Sequence, residues 1–353
     1  MRRSAKYLLF TLMSLLMAGC DRTIHEYPHD VEVELAVRCS VDLAQPEHWM
    51  SVECNAAEGA NYVVQAESAE PRGSRFIDPV CLRYVVDLYS VNGAKSRFVE
   101  RRVLFADVEA PTHDVVARFD VGAERYRVLV WCDYVREDVR EAWYYITDDL
   151  CEVRYADVPV VDNNDKDAFS GVKDVDLTHW CCLKCCNEAV VDMTLVRPMG
   201  RLKCVATDVD DYIANSSAVL EDITAVVSYV QYVSAGYNVE EQRPNYFVPT
   251  RTFVSRARVD REGRFELFYD YVIVNGKESN VMLNFAFYNG DVEFTAEGEV
   301  VGDRISSWSG IEVPLKRNRE TIIEGRLLTT SYGTGGVAIN PDFENEYVIP
   351  WGD

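Results

Sequence analysis

The sequence predicts an all-β protein built from two tandem β-sandwich domains. Tyrosine (20 residues), phenylalanine (14) and valine are plentiful, and these residues favour strands. Segments of alternating apolar and polar residues recur along the chain, separated by Asn-Gly, Pro and Gly turn signals. The 353 residues exceed one ordinary core and suit two. The formal net charge of −22 gives a surface that repels phosphate backbones. No nucleic-acid partner is therefore expected.

Residues 1–19 read as a signal peptide. Arg2, Arg3 and Lys6 precede an apolar run from Tyr7 to Met17. Spanning a bilayer takes ~20 apolar residues, so this run is too short to cross one. It ends in Leu16-Met17-Ala18-Gly19-Cys20, the pattern of a bacterial lipobox. Cys20 is the expected lipid-attachment site, and residues 20–28 the tether. Lipid chains would anchor the protein to a membrane without making it span one.

Residues 29–160 form the expected first sandwich. Val31, Val33, Leu35 and Val37 alternate with Glu32, Glu34 and Ala36 in a half-buried strand. Residues 41–75, broken by Pro46, Gly59, Pro71 and Gly73, read as irregular, with brief pairing over 61–64. Leu82 to Val91 is a strand, Asn92-Gly93 a tight turn, and Phe98 to Asp107 its partner. Val115, Ala117 and Phe119 mark another strand. In Gly122 to Tyr134 both faces are apolar: Tyr126, Val128 and Val130 on one, Leu129 and Trp131 on the other. That predicts a central strand covered on both sides. Trp143-Tyr144-Tyr145 is a further aromatic cluster.

Residues 161–186 read as a polar linker followed by a cysteine cluster. Asn163, Asp165 and Asp167 alternate like a calcium loop, but Ala168 and Asp174 stand where that loop needs Gly and Glu. A solvated linker is the expectation. In the cluster Cys181-Cys182-Leu183-Lys184-Cys185-Cys186, Cys182 and Cys185 form a CxxC. This spacing can hold zinc or a redox disulfide. There is no second CxxC to complete a zinc site, and ten cysteines besides Cys20 also permit structural disulfides in an exported protein.

Residues 187–353 form the expected second sandwich. Val191, Met193 and Leu195 make one strand. Arg197-Pro198-Met199-Gly200 interrupts it, and Leu202, Cys204 and Ala206 resume. A short helix capped near Asn215 is expected, then a strand over 223–234 that is apolar on both faces, and a loop over 238–251. Pairing strands follow at 253–259 and 264–274, with a turn at Asn275-Gly276. Residues 281–288 and 292–296 bracket Asn289-Gly290-Asp291 as a hairpin. Pro314 marks 311–315 as an edge strand, and 321–328 is the last regular strand. Gly333-Thr334-Gly335-Gly336 lacks the Lys-Ser/Thr of a phosphate loop and reads as a connection. The five histidines are scattered and no nucleophile elbow occurs. Neither an enzyme activity nor a cofactor is expected.

Four stretches together carry a resemblance. They are the lipobox ending at Cys20; Gly122 through Tyr134; Leu195-Val196-Arg197-Pro198-Met199-Gly200-Arg201-Leu202; and Val313 to Asn318 with Thr321, Gly325 and Leu328-Thr329. In order and spacing the chain resembles the fimbrillin-like lipoproteins of Bacteroidales, related to fimbrial anchor and tip subunits. The resemblance implies two transthyretin-like sandwiches, export to the outer membrane, and a structural, anchor or adhesin-like role at the cell surface beside other fimbrial subunits. It also implies assembly by β-strand addition, one chain's strand completing a neighbour's open sandwich. The extended tail, with Ile339, Phe343, Tyr347, Ile349 and Trp351, is the candidate donor, unless it closes its own sheet. The rival reading is an outer-membrane glycan-binding lipoprotein in which Trp49, Trp143, Tyr144, Tyr145, Trp308 or Trp351 stacks on sugars. Core packing is the commoner fate of such rings.

Overall fold

The computed structural model describes residues 32–55, 59–64, 79–93, 95–141, 144–156, 164–180, 188–216, 219–249, 251–260, 263–296 and 298–330. Strands dominate, and they build two sandwiches plus a smaller fifth sheet. In the first sandwich, β1 (Glu32–Ser40) lies between β6 (Val115–Gly122) and β11 (Glu188–Thr194). The facing sheet runs β10-β7-β4-β5, with β4 at Val80–Asn92, β5 at Lys95–Asp107, β7 at Arg125–Arg136 and β10 at Ala168–Asp176. Between them Leu35, Val37, Leu82, Tyr84, Phe119 and Val130 are fully buried. Burying each such side chain is worth about 1.5–3 kcal/mol.

The second sandwich pairs a six-stranded and a four-stranded sheet. The first has the order β17-β18-β12-β21-β2-β3. Its strands are β2 (Glu47–Asn55), β3 (Gly59–Val64), β12 (Met199–Ala206), β17 (Arg258–Val259), β18 (Phe265–Ile273) and β21 (Arg319–Gly325). The second runs β16-β13-β19-β20, from β13 (Ile223–Tyr229), β16 (Arg251–Arg256), β19 (Glu278–Phe294) and β20 (Val300–Lys316). Phe268, Phe285 and Phe287 stack in its core at centroid separations of 5.5 and 5.6 Å. The fifth sheet, β15-β14-β9-β8, joins β8 (Tyr145–Ile146) and β9 (Val153–Tyr155) to β14 (Val233–Asn238) and β15 (Arg243–Val248). A third core, containing Leu129, Trp131, Tyr145, Met199, Tyr237 and Tyr271, fuses this sheet to both sandwiches.

The central strand behaves as its two apolar faces predict. On β7, Tyr126, Val128, Val130 and Cys132 face the first core, while Leu129 and Trp131 face the third. Pro314 sits on β20, an edge strand, as proline requires.

Several expectations are overturned. The strands cross the expected division at 160 and 187 in both directions. β2 and β3, from the stretch read as irregular, belong to the second sandwich, where β2 runs parallel to β21. The alternation of Met50, Val52 and Cys54 is present in the sequence, but its partner lies near the far end of the chain. Conversely β11, read as founding the second sandwich, runs parallel to β1 in the first. Arg197-Pro198 is the crossing point between the two. Where it is described, the expected solvated linker is buried: Asp165, Lys166 and Asp167 are at most 4% exposed, and β10 pairs with β7. The strand expected over 223–234 is two strands in different sheets, broken at 230–232, and the loop over 238–251 contains β15. The hairpin expected at Asn289-Gly290-Asp291 is a bulge inside β19. Gly290 takes φ 74° there, and the register to β20 shifts between Asn289 and Glu293. Turn and bulge use the same left-handed glycine, so the local signal does not separate them. The helix α1 lies at Val209–Asn215, ending at Asn215 where the sequence suggested a start.

Candidate functional site

The crossing point is organised by buried charge. Arg197 is 4% exposed. It grips Asp167 with two bonds of 2.7 Å, reaches the Ala44 carbonyl at 3.1 Å, donates to Asn318 Oδ1 and stacks over Phe169 at 4.6 Å. Beside it Lys166 Nζ donates to Asp270 Oδ1 at 2.6 Å, and Tyr229 donates to Asp270 Oδ2 at 2.8 Å. Burial pulls the Lys166 ammonium down, with Asp270 opposing it, and pushes the Asp167 carboxyl up against the pull of Arg197. Arg201 pairs with Glu320, and its guanidinium sits 4.4 Å over Tyr269. Every one of these charges is occupied by a protein partner. The cluster fixes how the sandwiches meet.

The two lateral sides of the first sandwich differ. On one, β10 and β11 are joined where Ser170 and Val196 exchange two backbone bonds of 2.9 Å. On the other, β5 and β6 meet through Arg102, whose Nε donates to the Arg118 carbonyl at 3.1 Å and whose guanidinium lies 5.6 Å over Phe119. β5 is a 13-residue edge strand paired with β4; among the described residues no strand pairs with its other edge. It carries Phe98, Val99 and Val103, each 38% exposed or more. It also carries Lys95, Arg97, Arg101 and Arg102 against Glu100 and Asp107, a local reversal of the chain's acidity. Arg101 is anchored by two 2.6 Å bonds to Asp87 and one of 2.8 Å to the Thr147 carbonyl. Burial pushes the Asp87 carboxyl up, and the hydrogen bond from Arg101 pulls it back only in part. Arg97 and Lys95 are exposed. An unpaired edge with apolar and basic side chains can take up an extended acidic segment by main-chain hydrogen bonding.

The site residues expected from sequence lie outside the described residues. This holds for Cys20, for Cys182 and Cys185, and for Ile339, Phe343, Tyr347, Ile349 and Trp351. Among the described residues, no group of three or more His, Cys, Asp or Glu could hold a metal ion. Cys39, Cys54, Cys81, Cys132, Cys151 and Cys204 are free thiols, and burial pushes those of Cys39 and Cys54 up to about 12. Of the rings considered for sugar stacking, Tyr144, Tyr145 and Trp308 are core residues at 2% exposure or less. Trp143 and Trp351 lie outside the described residues, and Lys316 Nζ sits 5.1 Å over Trp49. The sequence reading passed over β5 as an assembly site, although four basic residues within one strand of so acidic a chain were there to be read.

The fold is similar to that of several solved structures. A "putative adhesin" from Bacteroides ovatus aligns at 13% identity and a TM-score of 0.43, over 83% of this chain and 89% of that one. A "putative cell adhesion protein" from Bacteroides eggerthii aligns at 12% identity and a TM-score of 0.38, over 87% and 91%. The fimbrial anchor protein Mfa2 from Porphyromonas gingivalis aligns at 8% identity and a TM-score of 0.37, over 78% and 82%. No curated protein matches the chain. A family profile does match, over residues 31–350, and the chain belongs to that family of unknown function, DUF6562.

Proposed function

We propose that the chain is a non-enzymatic lipoprotein of the outer-membrane surface, anchored through a lipid on Cys20. It acts as a structural, anchor or adhesin-like subunit that joins its neighbours by β-strand addition. The observation that carries this reading is β5, a 13-residue edge strand with exposed Phe98, Val99 and Val103 and no pairing on its outer side among the described residues. The segment 337–353 complements it: Asp342, Glu344, Glu346 and Asp353 are acidic, no residue in it is basic, and Ile339, Phe343, Tyr347, Ile349 and Trp351 are spread along it. Main-chain bonds would supply affinity, while charge pairing with Lys95 and Arg97 would set partner choice.

The test is self-association of the full chain at rising concentration, followed by sedimentation. Phe98→Glu with Val103→Glu should abolish it, as should deletion of 337–353, with unfolding stability changed by no more than ~0.5 kcal/mol for the surface substitutions. Association that survives both changes in folded protein would remove the reading.

A further inference from the structure

Away from β5, the fifth sheet forms one wall of a cleft of about 400 Å³. Its walls include Ile146, Arg154, Tyr155, Tyr246, Val248 and Arg251, and its lining contains two arginines and no acid among the described residues. We infer that this cleft binds the carboxylate of an acidic saccharide, a uronic or sialic acid unit of a glycan.

The arrangement follows from strand register. Gly236 on β14 stands between Arg154 on β9 and Tyr246 on β15. A Cβ at Gly236 would come within 2.9 Å of both the Tyr246 Cβ and the Val153 carbonyl. Only glycine fits so close an approach, and Arg154 stacks with its guanidinium 5.4 Å over the Tyr246 ring. Arg251, at the start of β16, lies 5.2 Å over Tyr155 in the same way. Two guanidinium-on-tyrosine stacks thus face one cavity. Stacking on a ring pre-orients a guanidinium fork, and such forks bind carboxylates through two parallel bonds.

The present partner of Arg154 is weak. Glu152 pairs with it at 2.8 Å, but the two side chains are 50% and 60% exposed. A pair this wet is worth ~0–1 kcal/mol, so a ligand carboxylate can take its place. Cavities of about 300–1,000 Å³ suit small ligands. Tyr246, Ile146 and Val248 supply apolar surface for the C–H face of a sugar ring. An extended peptide is the rival occupant: β14 is paired on both edges, but β8, β15 and β16, which contribute to the walls, are edge strands of their sheets. The chain's net charge of −22 disfavours polyanions at long range. The cleft therefore suits a ligand with one carboxylate per recognised unit.

The experiment is saturation-transfer NMR and calorimetry on the full chain. The probes are sialyllactose, an unsulfated glucuronate disaccharide, lactose, sodium acetate, inorganic phosphate and an Asp/Glu-rich peptide. The acidic saccharides should bind at least tenfold more tightly than lactose, acetate, phosphate or the peptide. Arg154→Gln and Arg251→Gln should each weaken them about tenfold, the equivalent of ~1.4 kcal/mol. Tyr246→Ala should weaken them too. Phe247→Ala, on the opposite face of β15, should bind as the parent does. Equal binding of lactose, of acetate or phosphate, or of the peptide would overturn the assignment. So would full affinity in folded R154Q or R251Q, or no saccharide binding at all.

Discussion

Arg197 touches three separate segments of chain: Asp167 and Phe169 around the start of β10, the Ala44 carbonyl between β1 and β2, and Asn318 between β20 and β21. Its neighbour Gly200 lies where a Cβ would fall 2.8 Å from the Lys316 carbonyl. The Arg-Pro-Met-Gly-Arg stretch that stood out in the sequence therefore does scaffolding work. It lets β12 pass close to the end of β20 and supplies the charges for the seam. Removing one partner of such a pair strands the other in a low-dielectric interior. Arg197→Met should cost about 3–5 kcal/mol, whereas Arg197→Met with Asp167→Leu should cost much less, because both charges are then gone. Urea unfolding of the two variants measures the difference. The buried acid at 167 was visible as a residue type, but its partner, thirty positions on, was a matter of tertiary placement.

At the scale of elements, the β17–β18 turn shows how one sheet edge is tied down. Lys203 on β12 donates to Asp260, and the Arg264 backbone N–H and Nε donate to the same carboxylate at 2.9 and 3.1 Å. Burial alone would raise Asp260; the Lys203 hydrogen bond and the other contacts outweigh it and hold the carboxyl below its ordinary value. A depressed folded value means stability that is fully present above about pH 4 and is lost as pH falls through the folded value. Asp260→Asn should therefore lose stability at neutral pH and show a flatter decline than the parent below pH ~4. Denaturant midpoints between pH 7 and 2.5 test both signs, and an unchanged acid slope would refute the assignment. Most single strands could be read from alternation: β1, β4, β6, β7 and β18 stand where the pattern puts them. The failures were the short or interrupted ones. β2 follows Pro46 closely, β15 contains Pro244, and β13 and β14 share one stretch with apolar residues on both faces although they join different sheets.

For the whole molecule, the interlacing of the sandwiches matters most. β2 and β3 leave the first sandwich for the second, β11 returns from the second half to the first, and a third core with Trp131 and Tyr145 at 5.1 Å lies between. Neither half keeps all its strands if the other opens. Unfolding should therefore be a single transition, with tryptophan fluorescence and far-UV circular dichroism coinciding. Two separated transitions would show that the halves are independent after all. The parallel pairings that close each sandwich join segments far apart in sequence, so folding should also be slow for the chain's size.

What the sequence determined by itself was the class of structure. Side-chain alternation has the period of a strand, and it survives translation into burial because one face of nearly every strand packs on a core. It also determined that β7 is central, since apolar residues on both faces leave no other solution. What only the tertiary structure decided was which strand pairs with which. Backbone hydrogen bonds are the same for every partner, so pairing across long stretches of chain is chosen by buried charge, close backbone approach and shared core. None of these is local. The same reason hid the cleft: Arg154, Tyr246 and Arg251 are unremarkable in sequence and acquire meaning only where strand placement sets them around one cavity.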